Sequence, residues 1–222
     1  MIRNNSHIFH LIALDSPEMW RLMATSFKSF STYIDKNPHL LHKAKLKFSK
    51  FKKGYGKRIE HRLPNGVLYG TVEEYDENTK ELAFEHHYVD GKRHGSCKSW
   101  CPSNSQFPRS LWYDHPHAYG KPHGEWKEWF APLHGGHLAK LITYEAGIIH
   151  GPYKEWFSNT LLKSEGQYSF SLKDGDWIEC HIDSEGAYIE AKGKYDHGKK
   201  LGIWRWYKDG VKFERKRYTP KL

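Results

Sequence analysis

Two rhythms of apolar positions divide the chain. Between residues 15 and 37, Trp20, Met23, Phe27, Phe30 and Ile34 follow at steps of three or four, the spacing that lines one side of an α-helix. Asp15 or Ser16 can cap it, Pro17 suits its first turn, Glu18 suits its positive end, and Pro38 disfavours helical geometry at Asn37. The stripe predicts an amphipathic helix whose apolar side covers the first hairpin of the repeats beyond it, or else meets a partner. A second set, Leu41, Ala44, Phe48 and Phe51, suits a helix, while Leu46 and Phe48 also suit strand alternation.

Beyond residue 62 the rhythm shortens. Runs such as Glu125 to Phe130 are too short for a stable helix and rich in aromatics, and turn chemistry comes after such runs at Asn159 and at Asp209-Gly210. A frame recurs: an aromatic, two residues, Gly, three residues, Gly, then a run with Trp or Tyr. Its second glycine falls at Gly70, Gly95, Gly124, Gly151, Gly175 and Gly202, at spacings of 25, 29, 27, 24 and 27 residues. That is a tandem repeat. Each unit offers two short strands and two turns, and its glycines fit positive φ or close approach of neighbouring backbone. One such hairpin buries too little to fold alone, so the units must stack.

The predicted fold is mainly β: an array of about six hairpins over residues 63–222, capped by a basic, partly helical extension over 1–62. Trp126, Trp129, Trp156, Trp204 and Trp206 are its expected aromatic core. Two units depart from the frame: Ser171 stands where the others have their first glycine, and Pro102 and Pro108 interrupt the return strand of the second unit. Both places are expected to be irregular.

The stretch GKPHGEWKEWF from Gly120, with relatives at Gly91, Gly147 and Gly198, resembles the MORN repeat of the bacterial MORN-variant type, over roughly residues 63–218. The resemblance implies a β-hairpin ribbon that serves as a protein or membrane interaction platform. Among bacterial MORN-variant proteins it implies antitoxin or immunity proteins that block a toxin, without pointing to one partner.

Hydrophobic residues make up only 38% of the chain, yet 15% is aromatic, as a thin ribbon of large flat side chains requires. Three cysteines are too few and odd in number for a disulfide framework, which suits a reducing, cytoplasmic setting. No apolar run reaches eighteen residues, and no convincing signal peptide precedes the repeats.

The net charge is +9, and residues 1–60 hold twelve Lys or Arg against four Asp or Glu, leaving the repeats almost neutral. Lys43, Lys45, Lys47, Lys50, Lys52, Lys53, Lys57 and Arg58 form an acid-free cluster with apolar residues between them. Such a cluster suits an anionic membrane surface, which makes peripheral membrane binding the alternative function, or an acidic protein. Nucleic acid is the weakest candidate, because no base-reading motif accompanies the charge and Lys dominates over Arg.

Catalytic signatures are absent from the sequence: there is no nucleophile elbow, phosphate loop, HExxH pair or dinucleotide fingerprint. His94, His123 and His150 each precede the second glycine of a unit, so their spacing is that of the repeat and predicts a turn hydrogen bond or ring packing. Cys97 and Cys101, four apart on a strand, stand too far apart to share a metal, and Cys180 and His181 should point to opposite faces. Glu128, Glu155 and Glu179 recur at one repeat position, with Lys127 and Lys154 as expected charge partners. The expectation is a non-enzyme without cofactor or metal.

Specificity for a protein partner should then reside where the repeat is broken. The insertions 103–109, 115–117 and 134–137 lengthen two spacings, and Phe107, Arg109, His115 and His137 are the expected partner-binding residues.

Overall fold

The structure, a computed structural model, describes the backbone of residues 46–52 together with residues 56–62 and 67–219. The chain is mainly β, and consecutive strands pair antiparallel as hairpins do. It divides into two compact units with the boundary between Gly95 and Ser96. The helix expected between residues 15 and 37 lies outside the described residues. Among the described residues no helix is long and apolar enough to cross a membrane.

In the first unit β1 (Leu46–Lys52), β2 (Gly56–Arg62), β3 (Gly70–Tyr75) and β4 (Leu82–Val89) lie side by side in chain order. The ambiguous stretch around Leu46 and Phe48 is therefore a strand, paired residue for residue with β2. Regular pairing is thus present inside the segment expected to be an extension. Ile59 and Val72 are buried, and so is Glu60. Its carboxylate accepts from Arg58 Nε at 2.9 Å and from Arg62 Nε at 2.7 Å, which satisfies a charge that burial would otherwise penalise.

The second unit begins within β5 (Lys92–Cys101) and continues through β6 (Ser110–Asp114), a two-residue pair β7 (His117–Ala118) and β8 (Lys121–Pro122), and β9 (Gly124–Trp129). It runs on through β10 (Leu138–Glu145), β11 (Ile148–Trp156), β12 (Leu162–Ser169) and β13 (Leu172–Ile182). The last strands are β14 (Tyr188–Asp196), β15 (Lys199–Lys208) and β16 (Val211–Tyr218). Apart from β7 and β8, these strands are neighbours in chain order. Residues 102–109, where the two prolines fall, form a loop closed by Asn104, whose Oδ1 accepts from the N–H groups of Gln106 and Phe107.

The two glycines of the frame do different work. The first sits in the two-residue turn: Ala146-Gly147 and His197-Gly198 have positive φ at both positions, the twist-matched geometry of tight hairpins. In the irregular unit Phe170 and Ser171 take the same turn at φ 47° and 66°, a conformation that side chains disfavour. The second glycine opens a bulge. Between Lys192↔Arg205 and Lys194↔Leu201, β14 supplies one residue, Gly193, and β15 supplies three, Gly202, Ile203 and Trp204. Gly166 on β12 faces Gly175, Asp176 and Trp177 in the same way.

That bulge lays an indole flat across the neighbouring strand. A Cβ on Gly193 would clash with the Trp204 ring, and one on Gly166 with the Trp177 ring. Each indole N–H donates to a backbone carbonyl, Trp177 to Gln167 at 3.0 Å and Trp204 to Lys194 at 3.1 Å. Trp177, Ala191 and Trp204 form the buried cluster, with Tyr153, Tyr168, Tyr195, Trp206 and Tyr218 packed around it. The core therefore differs from the expected set. Only Trp204 of the five tryptophans is fully buried, Trp126, Trp129, Trp156 and Trp206 are half-buried, and Trp177 is the residue not anticipated. The core position is the second after the second glycine; Trp156 instead stands beside a register shift near the end of its strand.

Candidate interaction surface

Directly paired residues of an antiparallel sheet share a face, so the registers of the second unit define two rows of side chains. One begins Tyr113, Glu128, Lys140, Glu155 and continues Ser164, Glu179, Ala191, Trp206 and Glu214. It belongs to the aromatic face. The three recurring glutamates are consequently a true row, and each is internally matched. Glu128 meets His115 at 3.2 Å, Glu155 accepts from Lys163 and Tyr153, and Glu179 accepts from Lys173, Lys200 and Tyr195.

The electrostatics reflect those contacts. The His115 hydrogen bond holds Glu128 below the usual carboxylate range, against partial burial. Burial raises Glu179, but Lys173, Lys200 and Tyr195 outweigh it and hold the carboxyl below its ordinary value. Burial, with the hydrogen bonds to Glu155 and Glu179, pushes the Tyr153 and Tyr195 hydroxyls up, so both stay protonated donors. Lys173 and Lys200 also lie over the Trp177 and Trp204 rings, at 4.2 and 3.8 Å. This face is occupied by its own contacts.

The other row lies on the opposite face. It runs Lys98, Asp114, Lys127, Leu141, then Lys154, Glu165 and Ile178, and ends Lys192, Arg205, Arg215. Six of ten positions are cationic and two are acidic. Lys127 and Lys154, expected to pair with the glutamate row, pair here with Glu125 at 2.9 Å and Glu165 at 2.7 Å, because alternation sends them to this side. Lys192 pairs with Glu190 at 2.7 Å. A groove of about 940 Å³ overlies the row, with Glu165, Ile178, Lys192 and Arg205 in its lining and Ile203 and Leu201 supplying apolar surface.

The residues expected at a partner surface are not gathered on this groove. Arg109 stacks on Trp100 at 4.3 Å, and His115 is sandwiched between Tyr113 and Trp126 at 4.4 and 4.1 Å. His137 Nε2 lies 3.3 Å from the Phe157 carbonyl with its ring beside Phe130, and Phe107 closes the Asn104 loop. Arg109, His115 and His137 thus make ring contacts, and Phe107 makes backbone bonds within its loop. Of the basic cluster, Lys43, Lys45 and Lys53 lie outside the described residues, and Lys47, Lys50 and Lys52 are on β1. Lys57 is exposed near Tyr75, while Arg58 is held by Glu60 and Glu74.

The repeat histidines do turn work: the N–H groups of Ala146 and Phe170 approach Nδ1 of His123 and His150 at 3.5 Å. Cys97, Cys101 and Cys180 are free thiols, and burial pushes the Cys180 thiol up, opposite to what a nucleophile needs. Asp174, Asp196 and His197 bring ligand-type atoms within 4.8 Å of one another. Both Asp196 and His197 are exposed, and His197 Nδ1 already meets Asp196 at 2.5 Å.

Sequence reasoning missed the basic row, although its members recur at the repeat spacing. Only strand register shows that Lys154, Lys192, Arg205 and Arg215 share one face. No known family model matches the chain, and no curated protein matches it at a significant level.

Proposed function

We propose that this protein is a non-catalytic repeat scaffold that binds a protein partner in the cytoplasm, with neutralisation of a toxin as the specific case suggested by its MORN-variant resemblance. The observation that carries the reading is the contrast between the two faces of the second unit. One is consumed by matched aromatic and ionic contacts, and the other carries a cationic row over an open groove. A broad, open groove whose lining is mainly apolar and edged by charged side chains suits a protein surface better than an enclosed substrate. The raised Cys180 thiol and internally paired glutamates support a binding role over a catalytic one.

The test is coexpression of the chain with the product of the gene adjacent to its own, followed by pull-down, alongside flotation with anionic and neutral liposomes in low and high salt. A stoichiometric protein complex that persists with salt is expected. Flotation with anionic liposomes alone, collapsing with salt and with loss of residues 43–58, replaces this reading with membrane binding.

A further inference from the structure

On the basic face, most lysines have an acidic companion, and one end departs from that pattern. Lys154 has Glu165, Lys192 has Glu190 and Lys194 has Asp176. Arg205 on β15 stands directly opposite Arg215 on β16, and Ile203 stands opposite Arg217. Among the described residues, Arg205, Arg215 and Arg217 have no ion-pair partner, and all three are exposed. Like charges facing each other across two strands destabilise the pairing. The arrangement thus costs stability unless an anion lies between them.

The same place is a sheet edge. β16 ends the strand order, and among the described residues nothing pairs along its outer side. Val211 and Phe213 are 71% and 55% exposed. An unpaired edge presents backbone N–H and C=O groups ready to take another strand. Charge decides which strand. β16 carries Lys212, Arg215, Lys216 and Arg217 against one acid, Glu214, so a second copy of β16 would set cation against cation. Residues 1–45 carry net positive charge as well and are no complement.

We infer that the outer edge of β16, with Arg205, Arg215 and Arg217, is the docking site for an extended acidic segment of a partner protein, added as a further strand. The inference rests on the protein-binding reading and names the chemistry of the partner. Alternate side chains of the added strand fall on the arginine face, where carboxylates can accept paired N–H donors from guanidinium groups. The intervening side chains fall on the aromatic face. The backbone supplies affinity and the arginines supply selectivity.

The probe is a labelled ten-residue peptide alternating Glu and Val, compared with its Lys–Val counterpart, with the same Glu–Val peptide N-methylated at alternate amides, and with a ten-nucleotide oligothymidylate. Binding by full-length protein is read by fluorescence anisotropy and by amide shifts over 211–218. The Glu–Val peptide is expected to bind and shift β16. The double variant R205A/R215A, folded by circular dichroism, should weaken it about tenfold, and N-methylation should abolish it. Undiminished binding of the N-methylated peptide, undiminished binding by the variant, tighter binding of the oligonucleotide, or exchange protection in the free protein of the β16 amides that face away from β15 each overturn the inference. A partner retained equally by R205A/R215A leaves the scaffold reading intact and sinks this edge alone. Peptide binding with no protein partner does the reverse.

Discussion

Gly193 and Gly166 show how a single hydrogen in place of a methyl group decides the core. Both have ordinary backbone angles, so conformational freedom is not their purpose; they are glycine because an indole packs too close to leave room for a Cβ. Gly193→Ala should cost about 2 kcal/mol through forced displacement of Trp204, read as a lowered midpoint in thermal or urea unfolding. Trp204→Ala should cost about 4 kcal/mol, whereas Trp156→Ala, at a half-buried position, should cost less than about 2 kcal/mol. Equal losses for the two tryptophans would refute the assigned core. The aromatic content was legible in the sequence, but the choice of Trp177 over Trp156 was not. Both fit a strand, and only the bulge opened by Gly175 sets Trp177 flat over Gly166.

At the scale of elements, the strands of the second unit are joined by a charge ladder whose sign of pH dependence is set by Glu179. Burial raises its carboxyl, but Lys173, Lys200 and Tyr195 prevail and hold it below the ordinary 4.5. The folded state therefore binds that proton less readily than the unfolded chain. The stabilisation is fully present above pH 4.5 and is lost as pH falls through the folded-state value. Glu179→Gln should lower the melting temperature at neutral pH and flatten its decline on acidification, measured by melts between about pH 3 and 7. In the first unit, Glu60→Ala leaves Arg58 and Arg62 without their buried acceptor and should cost about 2 kcal/mol in denaturant unfolding. A stability unchanged in that variant would mean that solvent replaces the carboxylate at no cost.

For the molecule as a whole, charge near the end of the repeats is arranged against stability, and that is testable. Replacing Arg215 with Glu turns the opposed Arg205–Arg215 pair into an attractive one and should stabilise the fold by about 0.5 kcal/mol, while removing affinity for the acidic peptide. A variant that gains stability and loses binding marks a site kept for its partner; one that loses stability shows that the arginines have structural partners. The repeat spacing, the two-glycine frame and the alternation of aromatics with charge were enough to determine a mainly β chain of hairpins, because tight turns and two-residue periodicity are local properties. Local pattern also placed the loop at residues 102–109, whereas the turn at Phe170-Ser171, expected to be irregular, keeps the geometry of the other units. Which tryptophan is buried, which lysines oppose the glutamate row and which cations stand unmatched depended on register. The three-against-one bulges shift the pairing of neighbouring strands, and no local rule contains that shift; only the tertiary structure decided that Lys192, Arg205 and Arg215 lie side by side.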